Sequence, residues 1–383
     1  MQRLKKETPP VVAVFAILLA LTAVQVLYWR GLIGGPAKLG GGSPAGGQAS
    51  GENPEPPAGM SDVEVVTVAG GAGAGHRDGA AGQVLLDRPA AVALDRAGNI
   101  YVADSGNHCL RRISPAGTID TLAGVPGKQG YADGPAAAAL FSAPAGVAVA
   151  RDGTVLVADT GNHRIRRIAR DGTVTTYAGA PTQTDDLGRE MGGLRDGPAA
   201  EAQFRYPVGL AVDDSGAVYV ADAGNGRVRR IAADGAVSTL PVAQGVEMKT
   251  PTAVALSGDG RVWVADTAGG RIFLGPRAGP LSPVAGSGAK GAPTAPAGIA
   301  IRRGAGGEPE VYVSDAGSNC LWRIGGQEPT LVAGAQDPAG GNQDGPGNIA
   351  RFATPSGVAV GADGSLYVAD FGNNRVRRVS FPI

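Results

Sequence analysis

The 383-residue chain is long enough for two or three ordinary domains or for one large closed β fold. Lysine plus arginine and aspartate plus glutamate each total 34, a balance that a strongly basic nucleic-acid binder would not show. Two cysteines exclude a disulfide framework, while 63 glycines and 28 prolines point to many turns or to low complexity.

Residues 11–29 form an uncharged, mostly apolar run, a length suited to a bilayer-spanning helix. Arg3, Lys5 and Lys6 precede it, and Tyr28, Trp29 and Arg30 close it as membrane-interface residues would. The run is longer than the apolar core of a cleaved signal peptide, and no A-x-A-like cleavage site follows. An uncleaved signal-anchor helix is therefore expected over residues 11–30. The positive-inside rule then makes residues 1–10 a cytoplasmic tail and places everything after Arg30 outside the cytoplasm. Residues 31–60 lack apolar periodicity and read as a Gly/Pro-rich tether.

From residue 87 the chain repeats itself. One unit, residues 144–168, reads PAGVAVARDGTVLVADTGNHRIRRI, and others begin at Pro89, Pro207, Pro251, Pro296 and Pro355. Each contains an aspartate at a fixed place: Asp104, Asp159, Asp222, Asp266, Asp315 and Asp370. The spacings of 55, 63, 44, 49 and 55 residues allow about four short strands per unit, the period of a propeller blade. In each unit an apolar strand, a D-G-type turn, a strand of the VLVAD, VYVAD or LYVAD kind, a turn of the D-x-G-N-x-R kind, a strand such as RIRRI or RVRRI and a last strand succeed one another. The last strands are expected at residues 119–124, 174–179, 237–242, 281–286 and 330–334. The sixth unit ends without one, and residues 63–70, VEVVTVAG, have its signature but no unit of their own. Residues 66–70 are therefore expected beside residues 375–380, closing the ring. The fold class expected is all-β: a six-bladed β-propeller over residues 61–383, closed by an N-terminal strand.

The unit resembles the NHL repeat, whose fingerprint joins P-x-G-[VI]-A-[VL], Y-V-A-D and G-N-x-R-[IV]-R. Residues 161–166 match it closely, as do 224–229 and 372–377 apart from the third position. Cys109 and Cys320 stand in for the arginine in units one and five, and a glycine replaces the asparagine in unit four. The resemblance covers residues 61–383 and implies the propeller fold. It leaves function open, because NHL propellers include protein-binding and RNA-binding modules, receptor ectodomains and a lyase.

A feature present in every blade is expected to build the blade. Each repeated aspartate ends a strand at a turn, where its carboxylate can cap backbone N–H groups. Four have an arginine five residues on, and these are expected to pair: Asp159 with Arg164, Asp222 with Arg227, Asp266 with Arg271, Asp370 with Arg375. From residue 61 onward 29 basic residues face 31 acidic ones, a net of −2, so the arginines are read as packing groups rather than a nucleic-acid belt. Cys109 and Cys320 lie two blades apart, beyond bridging distance, and are expected as free thiols.

Strand alternation puts the D-x-G-N-x-R turns and the connections between blades on one face. Those connections are long at residues 71–88, 125–143, 180–206 and 335–354 and short at 243–250 and 287–295. Three long ones carry a D-G-P motif at Asp133, Asp196 and Asp344, followed by Phe141, Phe204 or Phe352, expected as plugs on their own blades. Residues 182–195 interrupt the pattern with Asp185, Asp186, Arg189, Glu190 and Arg195, the candidate contact site. The innermost strands carry no His, Asp, Glu or Cys, so no catalytic residue, metal or cofactor is assigned. The expected function is a membrane-tethered extracytoplasmic scaffold that binds a protein, peptide or glycan through the loop face and no nucleic acid. The alternative is a lactonase-like hydrolase or lyase with a metal site built from loops.

Overall fold

The computed structural model describes residues 59–382 except 72, 187, 285–290, 305, 326, 327 and 338. The expected cytoplasmic tail, signal-anchor helix and most of the tether lie outside the described residues. Among the described residues no helix is long and apolar enough to cross a membrane.

The described residues form six antiparallel sheets, one per repeat, in each of which the first three strands follow one another in chain order from the apolar strand. In blade two the order is Gly146–Val149, Val155–Asp159, Arg164–Ile168 and Thr173–Ala178. The innermost strands are rich in alanine and glycine because blades converge there: an added Cβ at Gly209 would come within 2.6 Å of the Thr252 carbonyl oxygen. Hydroxyls stitch these strands together. Thr160 Oγ1 donates to the Pro207 carbonyl at 2.6 Å and Thr252 Oγ1 to that of Ala297 at 3.0 Å. Ser356 Oγ donates to the Ala90 carbonyl at 2.7 Å, which joins the last blade to the first.

Closure follows the expected route with slightly different limits. Glu64–Ala69 pairs with Arg375–Ser380 as the fourth strand of blade six, from Glu64 opposite Ser380 to Ala69 opposite Val376. Alternation decides the register, since Val63, Val65 and Ala69 are buried while Glu64 and Val66 face solvent. The core is divided among the blade interfaces. One cluster joins Val63 and Val65 to Tyr312 and Leu321 of blade five and to Val368 and Val379 of blade six. Another joins Ala69 and Val376 of blade six to Val102 and Ile113 of blade one. The closing strand thus contributes to the interfaces on both sides of its blade.

The outer edges differ from the expected four-strand blades. Blades one, two, three and six each carry a fifth, two-residue strand: Gly79–Ala80, Gly134–Pro135, Gly197–Pro198 and Gly345–Pro346. It comes from the long connection that enters the blade, folded back along the blade's own last strand, as Thr173 opposite Pro135 shows. Its glycine has φ near 130° in all four, a backbone state that side chains disfavour. Blades four and five, entered by short connections, have four strands. In blade four the last strand contracts to Ser282–Pro283, and the rest of its expected range lies outside the described residues after Val284.

Candidate binding face

The loop face is held by a buried ion-pair lock that recurs in four blades. In blade two, Arg166 Nη1 donates to Asp159 Oδ2 at 2.7 Å and to the Leu140 carbonyl at 3.0 Å. Its Nη2 donates to the Ala132 carbonyl at 2.7 Å and pairs with Asp133 at 2.5 Å. Asp159 also accepts the Ser142 backbone N–H at 2.8 Å and an N–H of Asn162 at 2.8 Å. Arg111, Arg229 and Arg377 repeat this with Asp104, Asp222 and Asp370. Their second partners are Asp78, Asp196 and Asp344. Burial pushes Asp104, Asp159, Asp222 and Asp370 up to about 6, against the lowering pull of the asparagine, backbone N–H and arginine donors. Only donors meet these oxygens, so the site holds carboxylates at neutral pH.

The expected pairing with the arginine five residues on is therefore corrected to the arginine seven residues on. Arg164, Arg227 and Arg375 sit directly opposite their aspartates across the strand pair, but their side chains lead elsewhere. Arg164 pairs with Glu190 at 2.8 Å, and Arg227 and Arg375 donate to the Gly226 and Asn342 carbonyls. Asp159 and Arg164 face each other across the Thr160–Asn162 turn, but Arg166, two residues on and on the same face of the strand, is the one whose guanidinium reaches the carboxylate. Only Asp266, with Phe273 seven residues on, approaches its Arg271, at 3.8 Å.

Asp78 is the fourth member of the D-G set, which sequence reasoning missed. It stands eight residues before buried Leu86, as Asp133, Asp196 and Asp344 stand eight before Phe141, Phe204 and Phe352, all fully buried. A second legible signal was the threonine that each of these aspartates receives. Thr67, Thr121, Thr176 and Thr239 bond Asp344, Asp78, Asp133 and Asp196 through backbone N–H and hydroxyl. Thr67 lies in the closing strand, so the lock of blade six contains both ends of the domain. The buried guanidinium of Arg229 lies 5.0 Å from the ring centre of Phe204, and Arg166 and Arg377 cover Phe141 and Phe352 in the same way.

The variable residue of the G-N-x-R turn staples one blade to the next. His108, His163, Asn319 and Asn374 have φ of 54–58°. Each accepts the backbone N–H of the residue before the next blade's opening proline. The N–H groups are those of Ala143, Tyr206, Thr354 and Arg88, at 2.9, 3.0, 2.7 and 2.8 Å. Gly226 and Gly270 occupy this place in blades three and four and offer no side chain.

In His163 the accepting atom is Nδ1, so Nε2 carries the proton and donates to the Glu190 carbonyl at 3.0 Å. Burial pushes its pKa down from 6.5 to about 4. Between those values the unfolded chain takes up a proton that the folded chain refuses. Stability from this group is thus complete above pH 6.5 and is lost as pH falls toward 4, by up to about 3 kcal/mol. Urea midpoints measured from pH 7 to 4 should fall more steeply in the native protein than in His163→Asn, which keeps an acceptor and cannot titrate. Equal slopes would contradict this role.

The candidate residues of 182–195 are drawn together by the loop itself. Asp185 pairs with Arg189 at 2.7 Å, Glu190 with buried Arg164, and Arg195 Nε donates to the Glu201 carbonyl at 2.7 Å; Asp186 is exposed. What the loop offers outward is apolar: Met191 and Leu194 are 43% and 53% exposed. Tyr131 and Ile349 on other long connections are 46% and 43% exposed, and Val66 is the remaining large apolar side chain in this class among the described residues. The Arg164 guanidinium lies over the Tyr131 ring at 4.6 Å, so Arg164 joins the loop entering blade two to Glu190 of the loop entering blade three. Cys109 and Cys320 are buried free thiols whose pKa values burial pushes up. Among the described residues no three His, Cys, Asp or Glu side chains converge to hold a metal ion.

This repeat geometry is that of an NHL-repeat six-bladed β-propeller. The family model described as NHL repeat matches residues 86–113 and 352–379, and that described as Teneurin NHL domain matches residues 142–232. The chain is 42% identical over 95 residues to Protein SUPPRESSOR OF QUENCHING 1, chloroplastic, of Arabidopsis thaliana, covering 24% of this chain and 9% of that one. It is 31% identical over 163 residues to Teneurin-3 of Danio rerio, covering 39% and 6%. It thus spans less than a tenth of either relative. An auxiliary nutrient binding protein from Bacteroides thetaiotaomicron superposes with a TM-score of 0.63 at 14% identity, over 83% of this chain and 76% of that one. A streptogramin B lyase does so with a TM-score of 0.53 at 14% identity, over 85% and 99%. These identities speak to the fold alone.

Proposed function

We propose that this protein is a membrane-tethered extracytoplasmic scaffold that binds a protein, peptide or glycan through the loop face of its propeller. The observation that carries the reading is the placement of exposed apolar side chains. Tyr131, Met191, Leu194 and Ile349 all project from the long inter-blade connections, on loops fastened by buried locks. Rigid loops on a closed scaffold bind with little ordering cost. The auxiliary nutrient binding proteins that share the fold are in keeping with a ligand-binding propeller. The tether and the anchor expected over residues 11–30 would hold that face outside the cytoplasm.

The test is site-specific photo-crosslinking in cells producing the full chain. A photoreactive phenylalanine at position 131, 194 or 349 should yield discrete adducts. The same group at Ala97 or Ala233, in exposed turns of the opposite face, should not. Adducts from the opposite face alone, or from both faces equally, would reject the assignment.

A further inference from the structure

Two rim positions frame each anchor aspartate. One is the second residue before the blade's first proline, whose N–H the carboxylate accepts; the other is the first residue of the third strand. Blade three has Arg205 and Arg227 there, and blade four has Lys249 and Arg271. The other blades hold at most one cation at this pair of positions.

These charges are poorly answered. Arg164 of blade two has Glu190, but the loop entering blade four is short and supplies no equivalent. Arg227 donates to the Gly226 carbonyl at 2.9 Å. Arg271 donates to the Glu247 carbonyl at 2.6 Å and stands 3.8 Å from Asp266. Among the described residues no hydrogen bond or ion pair engages the side chain of Arg205 or Lys249, and Nε of both Arg205 and Arg271 is buried without an acceptor. The nearby acids are committed or few: Asp185 holds Arg189, Glu190 holds Arg164, and Asp186 and Glu247 are exposed. Beside the cations lies an apolar shelf. Gly192 packs on the stem of Arg205, where an added Cβ would lie 2.9 Å from Cγ, and Met191 and Leu194 flank it in the open.

We propose that the rim of blades three and four receives an acidic peptide segment of a protein partner. Its carboxylates would meet Arg205, Arg227, Lys249 and Arg271, and an apolar side chain would lie against Met191 and Leu194. Arginine forks match carboxylate geometry, and the short connections entering blades four and five leave room for an extended chain beside the 182–195 loop. A polyuronate or polyphosphate would answer the charge but leave the shelf bare. The proposal rests on the loop-face reading above and names the chemistry of its partner.

The probe is a fluorescent octapeptide, Glu-Glu-Leu-Glu-Glu-Leu-Glu-Glu, titrated against the full chain in mild detergent, with its all-glutamine counterpart as control. The acidic peptide should bind and the counterpart should not, and binding should weaken as salt rises past about 0.15 M. Combining Arg205→Gln, Arg227→Gln, Lys249→Gln and Arg271→Gln should weaken it at least about tenfold. Lys249→Glu, a single exposed change that leaves the fold intact, should reproduce most of that loss. Met191→Ser with Leu194→Ser should weaken binding several-fold at unchanged melting. Binding unaffected by the charge variants overturns the proposal. So does displacement by polygalacturonate or polyphosphate that ignores the Met191 and Leu194 changes. Absence of peptide binding alongside loop-face photo-adducts defeats this proposal and leaves the scaffold reading standing.

Discussion

Replacing Arg166 by leucine should destabilise the propeller by about 3–5 kcal/mol, the range expected when one partner of a buried ion pair is removed. The side chain is fully buried and, among the described residues, supplies the only cation paired with Asp159, which is itself fully buried. Without it Asp159 keeps the Ser142 and Asn162 N–H donors but loses its countercharge, and the Leu140 and Ala132 carbonyls lose their donor. Asp133 would also lose its cation, leaving Thr176 and the short fifth strand to hold the loop that seals the blade's outer edge. Leucine fills much of the space, so the loss measures the charge rather than a cavity. Arg167→Leu, the exposed neighbour on the same strand, should change stability by less than about 0.5 kcal/mol. Urea midpoints at constant slope are the readout. Similar values for the two variants would show that the lock carries no stability.

Deleting residues 61–69 from the full chain should abolish the cooperative melting transition. The deletion removes Val63, Val65 and Ala69 from two blade interfaces, strips Thr67 from Asp344 and leaves Arg375–Ser380 as an unpaired edge. Each buried valine alone is worth about 1.5–3 kcal/mol, and a domain's whole stability is about 5–15 kcal/mol. An open ring also exposes a sheet edge prone to pairing with other chains, so aggregation on heating should accompany the loss. Circular dichroism melting and light scattering together read both effects. A sharp transition within a few degrees of the native one would mean that the ring does not depend on this strand.

Much of the fold was legible because blades repeat. Six related strand pairs, from VLVAD with RIRRI in unit two to VWVAD with RIFLG in unit four, place the second and third strands, and the unassigned residues 63–70 expose the closure. The fifth strands escaped because two residues carry no period, and their cause, an aspartate holding a threonine on the last strand, is a contact across 43 residues. The Asp–Arg partner was misread for a related reason: spacing in sequence suggested the residue opposite, whereas that arginine turns to other partners and the next one on the same face reaches the carboxylate. The staple was hidden by chemistry, since histidine and asparagine share little except an acceptor two bonds from Cβ. At the candidate site, the charged residues of 182–195 could be found from composition. Their mutual pairing could not, because it turns on Arg164 and on a loop conformation that charge pattern does not encode.

The closure itself can be read directly by a disulfide. Val66 and Arg378 face each other across the strand pair that joins the domain's two ends, both accessible to oxidant, and the native thiols are buried. In the protein carrying Val66→Cys and Arg378→Cys, mild oxidation followed by proteolysis should release one peptide pair linking the two positions. A shift of one residue would turn the side chains to opposite faces. Linkage at full yield is the predicted result; failure to link, or efficient linkage only with position 377 or 379 substituted instead, would contradict a ring closed in this register.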